Sequence, residues 1–93
     1  MKIKEIILKK LGTVIDVRNP GELAEGAFPG AVNIPVHEIP SRIEEIKKMK
    51  GPLVLYCRSG NRSGMAIAML KTSAVNTEMY NGGSYYDMLT YLN

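Results

Sequence analysis

The chain has no tryptophan, one phenylalanine, one histidine and one cysteine among its 93 residues. Each scarcity removes a class of explanation. A single cysteine excludes an internal disulfide framework and any redox centre built on two thiols. One cysteine and one histidine cannot fill the four positions of a zinc site, so neither a metal nor another cofactor is expected. No stretch approaches the ~20 apolar residues of a membrane-spanning helix. The opening MKIKEIILKKLGTV holds an apolar run of only three residues, too short for the apolar region of a signal peptide. Twelve basic residues face nine acidic ones, but the lysines are scattered and no basic stripe with interleaved aromatics occurs. Nucleic acid is therefore not an expected partner, and the mild positive balance favours small anions instead. The expectation is a reduced, cytoplasmic setting away from membranes, where a lone thiol stays usable.

What is present describes an ordinary globular chain, with 45% hydrophobic and 23% charged residues. The length implies one domain over residues 1–93, and no repeat, low-complexity segment or long linker divides it. Its core must come from Ile, Leu, Val, Ala and six methionines. Patterning predicts a short helix over Glu5–Leu11 and a strand over Thr13–Val17, rich in β-branched residues and closed by the turn-forming NPG. A short helical segment in ELAEG, a turn at Pro29 and Gly30 and a brief strand over Ala31–Ile34 follow. A helix is expected from Pro40, with Ile39, Ile43 and Ile46 on one face, ended by Gly51 and Pro52. The unalternating LVLY reads as a strand covered on both sides. Ser63–Lys71 reads as a deeply packed, nearly all-apolar helix. Asn76–Tyr80 is a possible strand, NGG a turn, and Tyr85–Leu92 a terminal helix. Strands separated by helices predict an α/β fold with a parallel sheet covered on both faces.

The only cysteine lies in LVLYCRSGNRSGMAIAML, between the buried strand and the apolar helix. In an open α/β sheet, ligand sites gather beyond the carboxyl ends of strands. The loop also enters a helix amino terminus, whose unpaired N–H groups and dipole favour negative charge. Those donors lower a thiol below ~8.5 and make Cys57 nucleophilic near neutral pH. Gly60 lets successive amides converge as an anion nest, and Arg58 and Arg62 add charge and fork-shaped donors. The polar, flexible RSGNRS argues against Cys57 being merely a small core residue. The lone histidine, His37, lies before the Pro40 helix and is expected at the surface.

Together VIDVRNPGELAEGAFPGAVNIP, LVLYCRSGNRSGMAIAML and YNGG resemble the single-domain rhodanese (thiosulfate sulfurtransferase) family, over about Thr13–Leu92 and in family order. The resemblance implies a three-layer rhodanese-like fold, a central twisted parallel sheet flanked by helices. It implies a persulfide on Cys57, passed to cyanide, a thiol or another acceptor, and a substrate-binding loop of Arg58, Ser59, Gly60, Asn61 and Arg62, with Ser63 opening the helix. Asp16 and Arg18 are then structural supports near the loop. Two departures stand out. Ala27 and Phe28 replace the family's usual His-Ile, and Tyr85 and Tyr86 occupy a region that often holds tryptophan.

The implied reaction is nucleophilic catalysis through a covalent intermediate, with a small anionic sulfur donor and a thiol, cyanide or acceptor protein as partners. A sulfur-carrier module delivering to a partner protein uses the same persulfide and is not separable by sequence. The rival chemistry is a cysteine-dependent phosphatase. Such enzymes place five residues between cysteine and arginine, whereas four separate Cys57 from Arg62 here. A loop one residue shorter suits one sulfur atom better than a phosphoryl group. No nucleotide P-loop is present, since Met65 stands where its lysine would be.

Overall fold

β-Branched and aliphatic residues build the first three strands where the pattern places them, whereas the last strand starts at Met79 rather than Asn76 and runs on through NGG to Ser84. In the computed structural model, which describes residues 2–92, β1 is Thr13–Asp16, β2 Val32–Asn33, β3 Leu53–Cys57 and β4 Met79–Ser84. The order is β2-β1-β3-β4, with every neighbouring pair parallel. Helices α1 (Lys2–Leu8), α2 (Ile43–Lys47), α3 (Asn61–Thr72) and α4 (Tyr85–Thr90) connect and cover it, with 3-10 helices over Pro20–Glu25 and Val36–Ser41.

Alternation along the strands divides the interior into two cores. On one face Ile15, Val17, Leu53, Leu55 and Cys57 meet Ile34, Ile39, Ile46, Ala66 and Leu70. On the other, Val54 and Tyr56 meet Ile6, Phe28 and Met88. The result is a three-layer α/β fold, a parallel sheet between two helical layers, as expected.

Several local expectations shift. The helix placed from Pro40 is two pieces, because Pro40 lies inside the second 3-10 helix and α2 starts only at Ile43. NGG is not a turn: Asn81, Gly82 and Gly83 lie within β4, where pairing slips by one residue so that Leu55 faces Asn81 and Tyr56 faces Gly83. Small residues are required there because α4 packs close. A Cβ on Gly83, at φ +88°, would stand 2.5 Å from the Asp87 carboxylate. Helix α3 is less deeply set than its composition suggests, since Ala66 and Leu70 are buried but Met65 is 58% exposed. Phe28 occupies the apolar core under α4, edge-on to Tyr56 at 6.3 Å between ring centroids. Tyr85 lies over Arg18, and Tyr86 is exposed.

Candidate active site

The strand order places the site. β1 connects outward to β2 and β3 outward to β4, so the connections leaving the central pair run in opposite directions. That divergence opens a crevice beyond the carboxyl ends of β1 and β3, the position where ligands of open α/β sheets bind. Cys57 ends β3, and α3 begins four residues later, at Asn61 rather than at the expected Ser63. Arg62 and Ser63 therefore belong to the first turn of α3. Gly60 is left-handed at φ +95° and lies against β4, where a Cβ would stand 3.4 Å from Gly83 Cα. Both the backbone angle and the close approach select glycine.

The thiol is not in an open bowl just beyond the strand. Cys57 is the last strand residue and has no exposed surface, because its alternation points it into the core beneath α3. Its sulfur forms the floor of the loop. The Gly60 N–H donates to Sγ at 2.9 Å, and the Ser63 hydroxyl lies 3.6 Å from it. Burial pushes the thiol up, but hydrogen bonds from the Ser63 amide and hydroxyl and from the Ser59 and Gly60 amides outweigh it. The net effect holds Cys57 below its usual value, as expected where amide donors favour the ionised form.

Ser63 has three acceptors in reach: Asn81 Oδ1 at 2.7 Å, the Gly60 carbonyl at 3.0 Å and the sulfur. One hydroxyl proton serves one of them at a time. Asn81 Oδ1 also accepts from the Gly83 N–H, and Asn81 Nδ2 donates to the Gly60 carbonyl. Both alternative acceptors thus keep a partner when Ser63 turns to the sulfur. Asn81, which the sequence reading passed over as part of a turn, clamps the loop from β4. An asparagine before two glycines is a turn signal, and nothing local separates that use from this one.

The remaining expected residues divide. Arg58 and Ser59 are exposed, and Arg58 makes no hydrogen bond or ion pair among the described residues. Asn61 is exposed, its amide donating weakly to Ser59 Oγ at 3.4 Å. Arg62 is committed elsewhere: its two terminal nitrogens donate to the two oxygens of Glu22 at 2.7 and 2.8 Å. This fork holds the Glu22 carboxyl down at about 2. Glu22 also accepts from the Asn19 N–H at 2.8 Å, one half of a capping box on the first 3-10 helix. Glu22 and Arg62 bridge the crevice from its two sides.

Asp16 and Arg18 form a buried pair, with Nη2 donating to Oδ2 at 2.7 Å. Arg18 also donates to the Gly26 carbonyl and stacks on Tyr85, while Tyr56 donates to Asp16 at 2.7 Å and accepts from the Phe28 N–H. These supports lie on the Tyr56 side of the sheet and make no direct hydrogen bond to the cysteine loop. They adjoin it through Tyr56, the neighbour of Cys57, and through Asn19, which follows Arg18 and donates its N–H to Glu22. His37 is 67% exposed, beside Glu38. Among the described residues no group of three or more His, Cys, Asp or Glu is placed to hold a metal ion, and no helix is long and apolar enough to cross a membrane. A groove of about 530 Å³ lies at the opposite end of β1, lined by Ile6, Lys10, Thr13, Phe28 and Leu92 among others. It is remote from the sulfur.

Comparison with known proteins agrees with this geometry. The rhodanese-like domain model matches residues 2–86. A protein of Allochromatium vinosum named sulfurtransferase is 47% identical over 57 residues, covering 61% of this chain and 52% of that protein. This chain thus spans about half the length of that relative. The structure of the human single-domain sulfurtransferase TSTD1 superposes with a TM-score of 0.77 at 25% identity, covering 96% of this chain and 90% of that one. A structure described as rhodanese with anions, from Escherichia coli, matches with a TM-score of 0.70 at 32% identity, covering 81% and 88%. With its sheet order, its cysteine at the end of a central strand and this match over most of its length, the chain belongs to the rhodanese-like domain family.

Proposed function

We propose that residues 1–93 act as one sulfurtransferase unit, moving a sulfane sulfur from thiosulfate or a related donor to a thiophilic acceptor through a persulfide on Cys57. The observation that carries this reading is a cysteine that ends β3 as the floor of its loop, its Sγ accepting from the Gly60 N–H at 2.9 Å with the Ser63 hydroxyl 3.6 Å away, and held below its usual value against burial by the donors of that loop. A thiolate so held is a nucleophile without a separate base.

In the first step Sγ attacks the outer sulfur of thiosulfate. The new Sγ–S bond forms as the S–S bond to the sulfonate breaks, and sulfite leaves with the electron pair. The single negative charge of the site is retained on the outer persulfide sulfur. In the second step cyanide or a thiolate takes that sulfur, and the pair of the breaking bond returns to Sγ. Because Cys57 has no exposed surface, the Arg58–Gly60 segment moves outward to admit the donor. The loop amides then meet the charge on the outer sulfur. Arg58, Ser59, Gly60, Asn61, Arg62 and Ser63 frame the space in which it sits. The anions in the E. coli rhodanese structure support an anionic donor here. The acceptor is a small thiol or a thiol of a partner protein, and the absence of paired cysteines suits a reducing, cytoplasmic setting.

Incubation with thiosulfate followed by intact mass spectrometry tests the reading. The wild-type chain is expected to gain one sulfur atom and to lose it on addition of cyanide, with release of thiocyanate. Cys57→Ser is expected to gain none. A wild-type chain that stays unmodified, or a Cys57→Ser chain that gains sulfur equally, overturns it.

A further inference from the structure

Resting on the sulfurtransferase reading, we infer that Glu22 selects the donor by charge: it withdraws Arg62 from anion binding and turns the site toward sulfur donors of low charge, such as an organic persulfide, rather than the thiosulfate dianion. The charges at the mouth of the crevice lead to this. The loop offers two arginines, Arg58 and Arg62, and their sum alone would suit a dianion. Arg62, however, spends both terminal nitrogens on the two oxygens of Glu22, at 2.7 and 2.8 Å. The carboxylate is fixed in place by its further bond to the Asn19 N–H, so it does not swing aside as a free surface residue would.

The ion pair contributes no net charge. Arg58 and the Cys57 thiolate cancel in turn, so the side chains around the reacting sulfur sum to nearly zero. A dianionic donor then meets only the loop amides and must pass a fixed carboxylate. An alkyl persulfide with an uncharged alkyl group carries at most one negative charge, on its outer sulfur, and meets a correspondingly smaller penalty. Sulfur transfer from it balances in the same way: Sγ bonds to the outer sulfur, the old S–S bond breaks and the alkyl thiolate leaves.

Glu22→Gln separates charge from architecture, because glutamine keeps an acceptor for Asn19 and Arg62. The measurement is the second-order rate of sulfur loading on Cys57, followed by intact mass, with thiosulfate and with a small uncharged-alkyl persulfide as donors. The variant is expected to load from thiosulfate on the order of tenfold faster than wild type, as removal of one charge near a dianion implies. Loading from the alkyl persulfide, at most a monoanion, should change by no more than about threefold. Equal changes with both donors, or no change with thiosulfate, overturn the role of Glu22 while leaving sulfur transfer standing. If neither chain takes sulfur from either donor, the sulfurtransferase reading fails first and takes this one with it. A measurement on the wild type alone guards against a variant that does not fold. Its thiosulfate rate should stay nearly flat as salt is raised across the range where screening becomes strong. A steep fall would mean that an unpaired arginine draws the donor in.

Discussion

Two of the arginine–carboxylate pairs among the described residues, Arg18–Asp16 and Arg62–Glu22, are built for opposite circumstances. Arg18 and Asp16 are two residues apart in the chain and expose 3% and 1% of their side chains. Arg62 and Glu22 are forty residues apart and expose 28% and 25%. In the first pair every oxygen of Asp16 is used: Oδ1 accepts from the Arg18 N–H and Nε, and Oδ2 from Nη2 and the Tyr56 hydroxyl. No buried side-chain nitrogen or oxygen among the described residues lacks a partner. Burial pushes the Tyr56 phenol up to about 12, with the Phe28 amide opposing and Asp16 adding to the rise. A saturated buried pair is a foundation, because either charge left alone has no water to replace its partner. The second pair keeps water within reach and ties two loops across a crevice. The same two functional groups therefore anchor the fold in one place and set the charge of a site in the other.

The contrast is sharpest where one partner is removed. Asp16→Ala strands the Arg18 guanidinium and the Tyr56 hydroxyl in the interior, and is expected to cost about 3–5 kcal/mol, read from the urea midpoint. A change of less than about 1 kcal/mol would place this pair with ordinary surface bridges and erase the distinction. Ser63→Ala comes next and acts on the site with little effect on the fold. Gly60 O and Asn81 Oδ1 keep their other donors, so stability should fall by only about 1 kcal/mol. The Cys57 titration, followed by thiolate absorbance, should move upward as the hydroxyl's support for the charged form is lost. An unmoved titration would assign the sulfur's support to the amides alone.

The smallest effect belongs to acid. The Glu22 carboxyl is held at about 2 against an ordinary 4.5. Its contribution is therefore fully present above pH 4.5 and is lost as pH falls through about 2. Stability measured down this range should show a modest extra loss in wild type that Glu22→Gln lacks. Equal acid sensitivity in the two chains would make the bridge energetically silent.

Much of this was legible in the sequence, and the pattern of what was not is instructive. The LVLY run announces a doubly covered strand because both faces of β3 are packed. The cysteine followed by a glycine-containing polar loop announces a turn into a helix amino terminus. The burial of the sulfur was not legible: it follows from Cys57 continuing the alternation of Leu53 and Leu55, which an apolar run without polar punctuation conceals. Glu22 and Asn81 were missed for a different reason. Each acts on a segment many residues away; Glu22 read only as part of a short helical segment and Asn81 as part of a glycine turn. Long-range partners leave no spacing to read.

The concealed sulfur has a consequence for what the protein survives. A nucleophile at the surface is open to every oxidant and alkylating agent that diffuses past. Cys57 has no exposed surface, so on the proposed mechanism size screens reagents before intrinsic reactivity ranks them. Small donors pass this sieve and bulky electrophiles do not. The buried position thus screens the thiol from bulky alkylating agents as well as housing its chemistry.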